Sequence, residues 1–385
     1  MQVDGELPCG RDALVRRSRL SISCPLVATA LIIAVVLIGV SVVGCSPPPP
    51  PNNPNGATNP PQPPEPPPPP PPPAYCVLCG VELEHDADLG HRPVVVMVDN
   101  HPHARPQVGL TEACFVFELL AEGGITRLMP VYVHGAPAEI GPVRSTRHYF
   151  LDLAAGLDAL FAHCGQSPQS ATDMRQLAVA SLDEFRYETG YWRDRVRQAP
   201  HNLLTSLDRL RAVAEANRIA TRRNDADDRW PYLISNGGAP TGDACQGVEV
   251  VWPYSAGRYV VGFHYHEPED PEGLGAYERW INGAPHVDPD TSAPLQAANV
   301  VVVYARFWRI AGDPEARLGA DLTGQGKALV FQQGVVHEAA WNKADRTAPL
   351  LLLDPEGQRL GLDAGQTWIL LVPLETEVRL LLPEQ

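Results

Sequence analysis

Asp99, Asn100, Arg105, Glu122, Arg127, Arg144, Arg147 and His201 are side chains that can hold an anion or move a proton. All but His201 fall within Arg92–Gly165, where short loops rich in Gly, Pro, Arg, His and acids each follow the end of an apolar run. Loops at the ends of strands are where an open sheet presents groups to a ligand. Guanidinium groups carry fixed charge and forked donors, so Arg127, Arg144 and Arg147 are expected to clamp phosphate, sulfate or carboxylate. Asp99 and Glu122 are the candidates for acid or base if chemistry occurs. The competing expectation is internal: the arginines neutralise Glu118, Glu122 or Asp152 inside the fold.

The elements that must position these groups follow from the pattern. Pro93–Asp99 is a short β-branched run and reads as a buried strand. Phe115–Leu119 and Leu128–Val133 read as strands joined by a turn containing Gly123 and Gly124. A helix is expected from about Ser145 to Ala155, with Ser145 as N-cap, which would offer free amide N–H groups to an anion. Further helices are expected after Ser167 and, with Ser206 as cap, from Leu207. His201 lies where a loop could close over the site. A Ser-His-acid hydrolase is disfavoured, because no G-x-S-x-G elbow is present.

The chain of 385 residues, 44% of them apolar, is long enough for two domains. Its net charge of -15 argues against nucleic-acid binding. Residues 1–44 read as a lipoprotein signal peptide, with arginines ahead of the apolar run Pro25–Gly44. Val42-Val43-Gly44-Cys45 resembles a bacterial lipobox, which implies cleavage before Cys45 and a lipid on its thiol. An uncleaved signal anchor is the alternative. Residues 45–74 form a Pro-rich linker, a stiff spacer between membrane and globular part. The protein is therefore expected on the extracytoplasmic face of the cell membrane, lipid-anchored.

Cys76 and Cys79 form a C-x-x-C that could be half a zinc site. No second pair at metal spacing follows, so a local disulfide or two free thiols is the expectation. His264, His266 and Glu267 share a strand-like run and are candidate metal ligands, with His286 and Asp288 as loop candidates. No third ligand is fixed by spacing, and the expectation is no metal and no cofactor. From Val248 on, strand-like runs separated by turn residues continue to the end, with a hairpin turn at Asn282-Gly283. Residues 224–229 (NDADDR) read as a hinge between domains spanning 75–225 and 226–385.

The blocks MVDNHPHARPQVGL, AEGGITR, IGPVRSTRHYFLDLA, PHNLLTS, GKALVFQQGVVHEAAWNK and GQTWILLVP resemble the YerB-like family of bacterial lipoproteins. The resemblance covers nearly all of residues 92–385. It implies an α+β fold: a mixed α/β N-terminal domain and a smaller, β-rich C-terminal one. It supplies no established catalytic residue. The succession of strand, Arg-bearing loop and acidic position is also similar, as an analogy without alignment, to transferases of the LytR-CpsA-Psr type. The expected ligand is an anionic envelope phosphate, a glycan or a polyprenyl-linked group. The alternative is a non-catalytic envelope scaffold that meets a protein partner.

Overall fold

The computed structural model describes residues 73–83, 90–223, 233–234, 242–253, 259–269 and 273–383. The leader, Cys45, most of the Pro-rich linker and the hinge at 224–229 lie outside the described residues. Among the described residues no helix is long and apolar enough to cross a membrane.

The first half supplies strands β1 (Val94–Val96), β2 (Val98–Asp99), β3 (Phe115–Leu120) and β4 (Thr126–Tyr132), then helix α1 (His148–Gly156) and strand β5 (Leu160–His163). Helix α2 (Pro168–Gln176), strand β6 (Ala180–Asp183) and helix α3 (Leu207–Ala216) complete it. The second half is β-rich: β7 (Gly247–Trp252), β8 (Tyr259–His266), β9 (Ala276–Ile281), β10 (Asn299–Arg309), β11 (Leu318–Asp321), β12 (Gly324–Gln332), β13 (Val335–Lys343), β14 (Thr367–Pro373) and β15 (Glu377–Leu381).

The main sheet runs β13-β12-β10-β14-β3-β4-β1-β5-β6, with β11 on β10 and β2 on β4. The two halves of the chain share it, because β14 lies parallel to β3 with Ile369 opposite Phe117. β3 and β14 are buried along their whole lengths. That is why both read as continuous apolar runs rather than as alternating ones. The second sheet pairs β9-β8-β7-β15, all antiparallel.

Two of the three helix starts follow the sequence signals. Ser167 and Ser206 each accept a hydrogen bond from the amide three residues on. Ser145 does not cap α1, and the helix begins at His148 after extended Arg147. The reason is tertiary. Arg144 N–H donates to Met97 O at 2.8 Å and Thr146 N–H to Gly165 O at 3.1 Å, so the segment is drawn out between strands. The helix-start anion site expected at Ser145 is therefore not formed there.

Candidate functional site

Asp99 ends β2 and stands opposite Arg127 of β4 in the ladder. Glu122 sits in the tight turn between β3 and β4. The extended segment before α1 brings Arg144 and Arg147 across from them. These five residues, with His101, Ala121, Ile125 and Glu315, line a cavity of ≈ 250 Å³. Sequence reasoning named all five charged groups from the first half. It missed His101, and it missed Glu315, which arrives from the loop between β10 and β11.

The charges pair unevenly. Arg147 forks onto both oxygens of Glu122, with Nη2–Oε2 at 2.9 Å and a closer contact from Nε to Oε1. Arg144 Nε lies 3.0 Å from Asp99 Oδ2, which also meets His201 Nδ1 at 2.7 Å. Asp99 Oδ1 accepts the His101 amide. Arg127 is buried, donates Nη1 to Ser145 O at 2.9 Å, and leaves its buried Nε with no hydrogen-bond partner. Among the described residues no carboxylate lies within ion-pair distance of it. Burial, then the neighbouring Arg147 charge, push the Arg127 guanidinium down to about 10. Burial alone would raise the Glu122 carboxyl, but the hydrogen bonds and charge of Arg147 outweigh it and hold it below its ordinary value. Glu122 is thus ionised at neutral pH and unsuited to be a general acid.

Asn100 and Arg105 go elsewhere. Asn100 is buried and donates to Thr126 Oγ1 at 2.6 Å and to the Tyr259 hydroxyl at 2.7 Å. Arg105 bonds Asn100 Oδ1 at 3.2 Å and lies over the Tyr259 ring. Both belong to an internal network centred on Glu118. Thr126 and Tyr259 donate to Glu118 Oε1 at 2.7 and 2.8 Å, and Arg279 Nη2 donates to Oε2 at 2.7 Å. Arg279 Nη1 then donates to His286 Nδ1 at 2.6 Å, and His286 Nε2 meets Gln107 Oε1 at 2.8 Å. Arginine can only donate, so His286 is the neutral tautomer with its proton on Nε2. Burial first, then the charges of Arg279 and Arg105, push its pKa down to about 2.

Two groups of metal-ligating side chains stand out among the described residues. One nitrogen each of His101, His103 and His201 lies within 4.8 Å of the others, at the Asp99 side of the cavity. The rings of His101 and His201 are stacked at 4.6 Å. Asp99 takes Nδ1 of His201 and so leaves Nε2 for a ligand role. The second group is Cys76, Cys79, Cys114 and His134. The candidate pair His264 and His266 is in neither: His264 stacks on Trp280, and His266 pairs with Glu278 at 3.1 Å. Asp288 accepts from Thr111 and its own loop. A larger cavity of ≈ 380 Å³ lies between α1, α2 and β11, but its Arg346 is paired to Asp152 and Asp173 at 2.7 and 2.8 Å.

Fold and site together define an α+β protein on one long mixed sheet, with a charged cavity formed mainly by its first half. Residues 78–220 match the family described as "Protein of unknown function (DUF3048) N-terminal domain", and residues 250–369 match the corresponding C-terminal domain. The chain is 32% identical to "Putative lipoprotein YerB" of Bacillus subtilis (strain 168) over 284 residues, covering 73% of this chain and 81% of that protein. The crystal structure of the Bacillus subtilis YerB protein superposes with a TM-score of 0.69 at 30% identity, covering 80% of this chain and 99% of that one. The chain belongs to the YerB family of DUF3048 proteins.

Proposed function

We propose that this protein is a lipid-anchored envelope protein, held to the membrane through Cys45, whose cavity at Arg127, Arg144 and Arg147 receives an anionic group of an envelope phosphate, glycan or polyprenyl-linked ligand. One observation carries the reading: Arg127 is a buried guanidinium with an unpartnered Nε and no bonded carboxylate, in a cavity that also holds Arg144 and Arg147. Arg144 and Arg147 are already matched by Asp99 and Glu122, and Glu315 of the cavity wall by Arg317 at 2.7 Å, which leaves Arg127 without an ion-pair partner among the described residues. A buried charge is costly unless paired, and an entering anion supplies the missing partner. Asp99 and Glu122 then orient the clamp. His201 acts through Asp99, and Asn100 and Arg105 brace the loop from behind.

The test is calorimetric titration of the full chain with pyrophosphate and with a short-chain polyprenyl phosphate, beside Arg127→Gln. Loss of one charge-assisted hydrogen bond, about 1.5–3 kcal/mol, weakens binding roughly 10- to 150-fold. Equal binding by wild type and variant, or none by wild type, rejects the cavity as an anion site and favours the scaffold alternative.

The three imidazoles support a second reading, in which a divalent cation on His101, His103 and His201 shares the phosphate with Arg127. It predicts that zinc or manganese tightens pyrophosphate binding in wild type and not in His103→Ala.

A further inference from the structure

We propose that Cys76, Cys79, Cys114 and His134 form a structural zinc site that fastens the first described hairpin of the chain to the end of the main sheet. The four ligand atoms lie within 4.8 Å of one another, and the three cysteines are buried, free thiols. Three thiolates and one imidazole are a set that zinc takes in closed, four-coordinate structural sites.

The distances fit a metal better than a disulfide. Cys76 Sγ and Cys114 Sγ are 3.8 Å apart. A disulfide needs about 2.05 Å. In a tetrahedron with zinc–sulfur bonds of about 2.3 Å, the sulfur–sulfur edge is about 3.8 Å. Cys79 Sγ and His134 Nε2 are 3.1 Å apart, a hydrogen-bond length, so these two atoms must part to about 3.5 Å to share a tetrahedral zinc. Three cysteines also cannot all be satisfied by disulfides among themselves.

The backbone presents the ligands from rigid places. Cys76 and Cys79 sit at the tip of a two-stranded hairpin, Ala74–Tyr75 against Glu82–Leu83. The turn is closed by Gly80 N–H to Cys76 O at 2.8 Å, and by Cys76 N–H to Val81 O at 2.8 Å. Gly80 has φ +68, a left-handed conformation that suits glycine. Cys114 immediately precedes β3 and its amide donates to Val131 O at 2.8 Å. His134 lies just beyond β4, so two antiparallel neighbours deliver Cys114 and His134 to the same end of the sheet. The second half is tied in as well, through Gly365 N–H to Cys79 O at 2.8 Å and Thr367 N–H to Cys114 O at 3.1 Å.

The need for such a staple is physical. A hairpin with two residues in each strand cannot hold itself together in water. It is the first described element after the Pro-rich run, so any pull along that run reaches it first. A cation bonded to both hairpin and sheet carries that load, and metal binding adds directly to folding free energy.

The experiment is zinc analysis of the purified full-length protein, prepared without chelator, with X-ray absorption at the zinc edge. The expected result is one zinc per chain with three sulfur and one nitrogen neighbours, and loss of that zinc in Cys79→Ser/Cys114→Ser. If the double variant does not fold, cobalt substitution of the wild type decides: a tetrahedral thiolate spectrum supports the site, and an octahedral one overturns it. A mapped Cys76–Cys79 or Cys76–Cys114 disulfide in metal-free wild type overturns it, as does zinc retained at full stoichiometry by a folded double variant. His101, His103 and His201 remain intact in that variant, so retained zinc would point to them.

Discussion

Glu118 and Arg279, 161 positions apart, form an ion pair of 2.7 Å in which neither side chain is exposed to solvent. The pair joins β3 of the first half to β9 of the second, and it is completed by Tyr259, Thr126 and Asn100 around the carboxylate. The Arg279 guanidinium also lies 4.5 Å from the Trp368 ring centroid of β14. The charged cavity is thus backed by a polar core that binds the two halves of the sequence together.

Removing one member of the pair leaves the other charge buried without its partner. Glu118→Gln and Arg279→Met are each expected to cost about 3–5 kcal/mol in chemical unfolding. The double variant should cost clearly less than the sum, because neither charge then remains alone. Strict additivity would show that the pair does not act as a unit.

His286 gives the network an acid sensitivity. Its folded-state pKa is pushed down to about 2, so below the ordinary value of 6.5 the unfolded chain takes up a proton that the folded chain refuses. Stability therefore falls as pH drops below about 6.5, with a slope from this group of up to about 1.4 kcal/mol per pH unit. Urea unfolding between about pH 7 and 4, compared with His286→Gln, isolates the contribution. Parallel pH profiles in the two proteins would refute it.

Glu122 should respond to the loss of Arg147 by changing the direction of its shift. With Arg147 present the carboxyl lies below its ordinary value of 4.5 although burial opposes this. In Arg147→Met burial dominates, and carboxyl-carbon NMR should place the Glu122 titration above that ordinary value. A titration that stays low would mean that Arg127 alone suffices to hold the anion.

Gly109 and Gly123 separate backbone strain from steric room. Both have positive φ, +80 and +71, but a Cβ at Gly109 would lie 2.4 Å from Glu139 O, whereas at Gly123 it meets nothing within 4 Å. Gly123→Ala should cost about 1–2 kcal/mol, the left-handed penalty alone. Gly109→Ala should cost more, because the 139–140 backbone must also move. Thermal unfolding of the two variants side by side ranks them, and an equal or reversed order would contradict the contact.

The sequence by itself determined much of the local structure and of the charged cavity. The strands read at Phe115–Leu119 and Leu128–Val133 stand at Phe115–Leu120 and Thr126–Tyr132, and Ser167 and Ser206 marked their helices, because period and capping are properties of neighbours along the chain. Asp99, Glu122, Arg127, Arg144 and Arg147 were legible as a group because each follows an apolar run on one stretch of chain. Tertiary structure decided what those signals could not carry. It drew Ser145 into an extended segment, assigned Glu118 to Arg279 rather than to a nearby arginine, and laid β14 beside β3. It also brought Cys114 and His134 to the C-x-x-C turn. Pairings of this kind depend on which strands share a sheet edge, and a hydrogen-bond ladder between segments hundreds of residues apart leaves no periodic trace in either of them.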